Sequence, residues 1–210
     1  MKNQSITEAM LQFIEESPTA FHAAANVEAL LLENGFEKLE NLAEGALVPG
    51  GSYYTMQNGS AVLAVKIPEN PAKGFRIAAS HSDSPCFKIK EVPEMKVENT
   101  YVKLNVEKYG GMILSPWLDR PLSVAGRVFV AGKDGKPEAK LVNLKKDLLI
   151  IPNVAIHFNR EINNGFAYNP QTDMAPLMGL DQELSIKKLC AEAVDVAEEE
   201  ILGSDLYVYN

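Results

Sequence analysis

One short stretch of the sequence combines residue types that can bind a metal ion, and it reads His81-Ser82-Asp83. A neutral imidazole is a good ligand for zinc, and a metal-binding histidine usually donates its other ring N–H to a nearby oxygen. Side chains two residues apart on an extended chain point to the same side, so Asp83 is placed to hold the ring of His81. The stretch predicts a metal ligand with an orienting carboxylate, although the same pattern also occurs as a hydrogen-bonded loop end.

The run before this stretch indicates how the two side chains are positioned. Residues Phe75 to Ser80 are mostly apolar and few in number, which predicts a buried inner strand of an α/β sheet. In open α/β sheets, ligands collect at the carboxyl ends of the strands. His81 and Asp83 follow that end directly, so their placement favours a functional role.

Two helices and a β-hairpin are predicted before this strand. A capping-box pattern predicts a helix from Ser5 to about Glu16, and a second helix is expected from Thr19 to a glycine cap at Gly35. Two β-type runs, Ser52 to Met56 and Ala61 to Ile67, surround an Asn-Gly pair that predicts a hairpin.

Composition restricts the class of protein. The chain has 210 residues, 46% of them apolar and 23% charged, which is typical of a folded globular protein. The net charge of -8, without a basic cluster, argues against a nucleic-acid partner. No apolar run reaches the length of a membrane span, and the polar start of the chain predicts a cytoplasmic protein without a membrane partner. The two cysteines, Cys86 and Cys190, are expected to be reduced thiols.

The second part of the chain, from about Glu91, has no evident helical periodicity. Short β-type runs at 97–106, 127–131 and 148–151 are separated by turn residues, namely glycine, proline and asparagine. A helical period returns near Asp181 and continues to Ile201, and a new strand is expected from Asp205. We therefore predict an α/β domain over residues 1–90, a β-rich insertion over 91–204 that ends in a helix, and a returning strand of the first domain over 205–210.

Several stretches, in order along the chain, resemble the M18 metallo-aminopeptidases, the aspartyl aminopeptidase family. The segment around His81 is similar to that family's His-Thr-Asp-Ser-Pro motif. The other matching stretches are Ser17-Pro18-Thr19-Ala20-Phe21-His22, Tyr109-Gly110-Gly111, Trp117 to Val128, Ile151 to Arg160, and Asp205-Leu206-Tyr207. The resemblance covers essentially the whole chain and implies the N-terminal part of an α/β/α zinc-exopeptidase domain with an inserted β-rich dimerisation domain.

The resemblance also implies a function and roles for three residues. Members of the family remove the N-terminal residue of a peptide substrate, an acidic residue in one branch, with two zinc ions and a general-base glutamate. By position, His81 would be a zinc ligand and Asp83 would orient it. His157 would lie in the β-rich insertion and act in the active site of a neighbouring subunit, so the protein is expected to form a homo-oligomer through that insertion. Without the resemblance, His157 could equally be a histidine with satisfied hydrogen bonds at the end of a β-run.

The remaining zinc ligands and the general base of the family fall beyond the position that matches Asn210. The acidic run Glu198-Glu199-Glu200 lies in the expected helix, where a solvated face is the simpler interpretation. Three hypotheses remain at this point. The chain is the first half of such an enzyme, or it is a catalytically inactive oligomerisation or regulatory module, or its site is completed by a second polypeptide.

Overall fold

The structure is a computed structural model of the chain, and it describes residues 5–40, 47–70, 74–181 and 183–210. The chain divides into two compact units, Met1–Ser84 and Pro85–Asn210. Among the described residues, no helix has both the length and the apolar character that crossing a bilayer requires.

Two helices open the first unit, as the sequence predicts. Helix α1 spans Ile6–Glu15, and its capping box is formed: the Ser5 hydroxyl accepts from the Glu8 N–H at 3.2 Å, while the Glu8 carboxylate accepts from the Ser5 N–H at 2.8 Å. Helix α2 spans Ala20–Glu33 and ends where Gly35 adopts a φ of 76°. This left-handed position suits a glycine, which has no Cβ to clash.

A small sheet follows the helices. Its strands are β1 (Glu37–Lys38), β2 (Ser52–Gln57) and β3 (Ala61–Lys66), in that order, with β1 parallel to β2 and β2 antiparallel to β3. Asn58 and Gly59 turn the hairpin with φ values of 53° and 66°. These are the residue types that tolerate positive φ, and the predicted hairpin is confirmed.

The predicted buried strand from Phe75 to Ser80 is wrong for the structure of this chain. These residues form no strand, and the side chains of Phe75 and Ile77 are 93% and 85% exposed. An inner strand needs a hydrogen-bonding neighbour on each side, and none of the strands in the described residues pairs with this segment. The segment has the apolar composition of an inner strand, but composition alone does not supply the neighbouring strands.

The second unit is built on one six-stranded sheet. Its strands lie in the order β7-β6-β9-β4-β5-β8, and all of the described pairings are antiparallel. Their bounds are β4 (Cys86–Val97), β5 (Tyr101–Tyr109), β6 (Ser123–Ala131), β7 (Pro137–Asn143), β8 (Leu177–Gly179) and β9 (Ile201–Tyr209). Three short 3₁₀ helices at Ser115–Trp117, Ile162–Asn164 and Glu198–Glu200 lie in the connections.

The core of the second unit covers one face of this sheet. Alternate residues of the central strands are buried there, including Val124 and Val128 on β6 and Leu206 and Val208 on β9. Helix α3 (Ile186–Ala193) contributes Ile186, Cys190 and Ala191 to the same core. The sequence therefore follows the period of two in the strands and the helical period in α3.

The helix expected between Asp181 and Ile201 is much shorter in the structure. Asp195 has a φ of 55°, the Val196 N–H donates to the Ala191 carbonyl at 3.1 Å, and the Asp195 N–H donates to the Glu192 carbonyl at 3.4 Å. This hydrogen-bond pair is the Schellman arrangement that ends helices. The residue at this left-handed position is an aspartate and not the usual glycine. The sequence pattern therefore did not predict the end of the helix at this point.

The last strand begins earlier than expected and has partners on both sides. It starts at Ile201 and lies between β6 and β4, in the sheet of the second unit. The boundary between the units falls after Ser84, within six residues of the predicted one at 90. How the two units correspond to domains of a longer protein stays a prediction.

Candidate functional site

The imidazole of His81 is oriented by two oxygens of Asp83. Its Nδ1 lies 3.0 Å from the Asp83 Oδ1 and 2.9 Å from the Asp83 main-chain carbonyl oxygen. Both oxygens are acceptors, so Nδ1 carries the proton in the neutral ring and Nε2 carries the lone pair. The His81 side chain is 81% exposed, so Nε2 is accessible to an incoming metal ion.

The segment that carries His81 is attached to the hairpin of the first unit. The Ser82 hydroxyl donates to the main-chain carbonyl of Ser60 at 2.8 Å, and Ser60 is the last residue of the turn between β2 and β3. This contact fixes the extended backbone between the two site residues. Sequence reasoning missed it, because a serine that bonds to a main-chain carbonyl 22 positions away leaves no local signal.

His157 lies on an exposed turn of the second unit. The turn is closed by a hydrogen bond from the Phe158 N–H to the Ala155 carbonyl at 2.8 Å. Three apolar neighbours of His157 are exposed: Val154 by 55%, Ile156 by 47% and Phe158 by 84%. An exposed histidine among exposed apolar side chains is typical of a surface that meets another protein surface.

Asp119 holds the beginning of this turn. Its N–H donates to the Ile151 carbonyl at 2.9 Å, and its Oδ1 accepts from the Asn153 N–H at 2.8 Å. Asp119 has a φ of 57°, a left-handed conformation that aspartate tolerates better than most residues. The residue acts as a positioning residue for the segment that leads to His157, a role that the spacing of 34 positions did not reveal.

The described residues provide one candidate metal ligand and not a complete site. His81 and Asp83 are brought together, whereas His157 belongs to the other unit. In the part of the chain that the structure describes, no group of three or more histidine, cysteine, aspartate or glutamate side chains could hold a metal ion. The acidic run Glu198–Glu200 is an exposed 3₁₀ turn rather than part of an α-helix, and Glu200 accepts from the Ala197 N–H at 2.7 Å. The described residues can therefore supply one ligand to a zinc ion, the imidazole of His81.

Comparison with known families identifies the chain. Residues 13–210 match the family described as "Aminopeptidase I zinc metalloprotease (M18)". The chain belongs to the M18 family. The curated relatives of this M18 chain include the "Probable M18 family aminopeptidase 2" of Clostridium acetobutylicum, which is 43% identical over 218 residues and covers 100% of the chain and 50% of the relative. A second relative of the same name, from Pseudomonas putida, is 38% identical and covers 96% of the chain and 47% of the relative.

Solved structures agree with the family assignment. The structure titled "Structure of Chaetomium thermophilum mApe1" matches with a TM-score of 0.85 at 30% identity, over 97% of this chain and 50% of that one. The M18 chain thus spans about half the length of the curated relatives it matches. The predicted fold class, the N-terminal part of an M18-type α/β protein, is confirmed.

Proposed function

We propose that this chain is part of a zinc aminopeptidase that hydrolyses the N-terminal residue from peptides, and that it contributes His81 as one of the zinc ligands. The observation that carries the proposal is the His81 ring, whose Nδ1 faces the two oxygens of Asp83 and whose Nε2 is left for a metal. The description of the M18 family as zinc metalloproteases supports the choice of metal.

Asp83 has a defined part in this proposal. Its carboxylate keeps the proton on Nδ1, so the ring presents a lone pair at Nε2 in one orientation. Zinc, when bound, supplies Lewis-acid stabilisation of the negative charge that develops on the peptide oxygen. We infer that a complete site holds two ions and that the other ligands and the general base come from residues outside these 210.

The role proposed for His157 depends on assembly. Its turn exposes Val154, Ile156 and Phe158, and burying them against another copy would remove apolar surface from water. A neighbouring solved structure is titled as an S. cerevisiae mApe1 dodecamer, with a TM-score of 0.81 and 22% identity. We infer that the chain forms homo-oligomers through the second unit, and that His157 then stabilises the developing oxyanion in a neighbouring subunit's site. We also propose that the complete enzyme prefers peptides with an acidic N-terminal residue and that it is located in the cytoplasm.

A second candidate function is an oligomerisation or regulatory module without catalysis. The described residues contain no three-ligand cluster, while the second unit has a large core of its own. Such a module would assemble in the absence of zinc and hydrolyse nothing.

Zinc titration by calorimetry tests the assignment of the ligand. Because His81 alone is not a complete site, the titration uses this chain mixed with the part of the Clostridium acetobutylicum relative that this chain does not match. We expect His81→Ala to abolish the binding seen with the natural chain, and Asp83→Asn to weaken it by about ten- to a hundredfold, because the orienting carboxylate is lost. His157→Ala is the matched control: it removes an exposed histidine that is not proposed as a ligand, so zinc binding should not change. Equal zinc binding by the natural chain and His81→Ala would contradict the assignment.

Activity separates the two candidate functions. The zinc-loaded chain is assayed with Asp-, Glu- and Leu-linked chromogenic substrates, alone and after mixing with the polypeptide that corresponds to the second half of the Clostridium acetobutylicum relative. We expect turnover only in the mixture, and loss of it with His81→Ala. Turnover with two zinc ions by the chain alone would refute the half-site proposal. Assembly without turnover in any mixture would favour the module.

A further inference from the structure

A cavity separates two neighbouring strands of the second unit. Strands β4 and β9 pair only at Phe87 with Val208 and at Lys88 with Tyr207 in the described part of the chain. Beyond these pairs, β4 is irregular between Ile89 and Glu94. A cavity of about 450 Å³ is bounded by this irregular stretch, by β9 and by the first turns of α3, a size within the range of ligand pockets of roughly 300–1,000 Å³.

The lining of this cavity includes an apolar group of side chains. Its buried members are Ile89, Val128, Ile186, Cys190, Ile201 and Leu206. Burial raises the pKa of the Cys190 thiol to about 12, so the thiol is uncharged at neutral pH. This group of side chains, the floor of the cavity, therefore suits a branched apolar group and not a charged one.

The wall formed by β9 carries the hydrogen-bonding groups of a strand edge. On one side, β9 is paired with β6 from Tyr209 to Ile201. In an antiparallel ladder, the N–H and C=O groups of alternate residues point to opposite sides of the strand. Part of the backbone between Ile201 and Leu206 is therefore directed towards the cavity, where β4 does not pair with it. An extended peptide can satisfy such groups by adding as a strand.

Charged residues of both signs surround the cavity. Lys90 and Lys187 line it, and neither forms an ion pair with another described residue. Glu91 and Glu94 also line it, and Glu94 uses Oε1 to accept from the Ile186 N–H at 2.8 Å. Charges of opposite sign around one apolar cavity complement a ligand that carries an ammonium group and a carboxylate at its two ends.

We propose that this cavity binds a short unblocked peptide as an added strand beside β9, with a branched apolar side chain on the floor. Main-chain hydrogen bonds to β9 would orient the peptide, the floor would select the side chain, and the lysines and glutamates would hold its two ends. The inference concerns the second unit alone and goes beyond the proposed function, because it depends on neither zinc nor His81.

The first experiment is a calorimetric titration of the full chain with the peptide Ala-Leu-Ala, in a buffer with EDTA so that metal-dependent hydrolysis cannot consume the peptide. Two further probes define the chemistry: the same peptide with an acetylated amino end and an amidated carboxyl end, and free leucine. We expect saturable binding of Ala-Leu-Ala and at least about tenfold weaker binding of both other probes. Binding of the blocked peptide as tight as that of Ala-Leu-Ala would overturn the role of the charges.

Two pairs of variants locate the binding site. Ser204 lines the cavity and is exposed, so Ser204→Trp fills the space and should lower the affinity by at least about tenfold, whereas Ser204→Ala should leave it unchanged. Lys187 and Lys188 are both exposed residues of α3, but of these two only Lys187 lines the cavity. Lys187→Ala should therefore weaken binding by several-fold and Lys188→Ala should not.

The remaining outcomes oppose the proposal. The absence of saturable binding at millimolar peptide would refute the site, and an affinity that neither Ser204→Trp nor Ser204→Ala changes would place it elsewhere. Analytical ultracentrifugation of the same variants examines another occupant. If Ser204→Trp dissociates an oligomer that Ser204→Ala preserves, then a second copy of the chain fills the cavity and the peptide proposal is wrong.

Discussion

A ring nitrogen that faces two acceptor oxygens is held in one tautomer, and His81 is such a case. Its Nδ1 lies within 3.0 Å of both the side-chain and the main-chain oxygen of Asp83. Rotation of the ring would exchange a polarised N–H for an aromatic C–H and lose both contacts. The ligand nitrogen is therefore oriented before any metal arrives, which lowers the entropic cost of binding.

Glu28 is the residue at which we expect a measurable pH dependence of stability. Its Oε1 accepts from the Lys38 Nζ at 2.7 Å and from the Tyr54 hydroxyl at 2.9 Å, so the carboxylate connects α2 to β1 and β2. The hydrogen bond from Lys38 lowers the pKa of Glu28 below its ordinary value of 4.5. A depressed carboxyl pKa contributes stability that is present above the unfolded pKa and is lost as the pH falls through the folded one.

We expect this contribution to be modest, about 0.5–1 kcal/mol, because Lys38 is partly exposed and water screens the pair. The measurement is the urea midpoint of the helical circular dichroism, to which α2 is the longest contributing helix. Above pH 4.5 the urea midpoint of the natural chain should be higher than that of Glu28→Gln, and the difference should disappear as the pH falls below 4.5. A constant difference between the two proteins across this range would contradict the expected linkage.

At the scale of elements, the pairing of β6 with β9 depends on a glycine. Gly126 lies opposite Leu206, and a Cβ added to it would meet the Leu206 Cα at 2.9 Å and the Asp205 carbonyl oxygen more closely still. Both obstacles are backbone atoms, which cannot move aside without shifting the strand. The next residue, Arg127, bonds to the Asp205 carboxylate at 2.8 Å and 3.0 Å and holds the strands at this spacing.

We therefore expect Gly126→Ala to lower the free energy of unfolding of the second unit by about 1–3 kcal/mol, the range of overpacked sites. The matched control is Gly203→Ala on β9, where an added Cβ meets no atom within 4 Å, and a change within about 0.5 kcal/mol is expected. Urea unfolding followed by the fluorescence of Trp117 reports this unit, because the indole packs on Phe87 at 5.1 Å. Equal destabilisation by both substitutions would show that the close backbone approach at Gly126 is not the reason why a larger residue is unfavourable there.

The elements also show which features the sequence could reveal. Local signals were sufficient for α1, α2 and the Asn58-Gly59 hairpin, since a cap or a turn is determined by residues within a few positions. The segment from Phe75 to Ser80 has the composition of a strand, but a strand also requires distant partners. For the candidate site, the spacing predicted the contact between His81 and Asp83. The anchors at Ser60 and Asp119 depend on chain crossings that no local pattern encodes.

At the scale of the whole molecule, the two units differ in how much apolar surface they remove from water. The second unit has a continuous core that extends from Phe87 on β4 to Val208 on β9. The buried apolar residues of the first unit, among the residues the structure describes, are Phe21, Ala23, Ala24, Tyr53 and Tyr54. Because burial of apolar surface is the main stabilising contribution, the second unit should open less often than the first.

Amide hydrogen exchange measured by mass spectrometry tests this difference on the intact chain. We expect the slowest exchange in β6, which has a hydrogen-bonded neighbour on both sides and faces the core, and in β9 at Tyr207 and Val208, where β9 pairs with both β6 and β4. Exchange should be faster in β7, an edge strand, and fastest from 74 to 80, where no strand is formed. The free energy of opening governs these rates, so the order reports stability rather than exposure alone.

The peptide that covers β9 gives the most informative result. A strand that belonged to the first unit would exchange together with α2 and β2, whereas a strand of the six-stranded sheet exchanges together with β6. The expected outcome is that Tyr207 and Val208, where β9 pairs with both β6 and β4, are protected as strongly as β6. Exchange in step with the first unit, or protection of residues 74–80 comparable to β6, would mean that the strand pairing described for this chain is not the one present in solution.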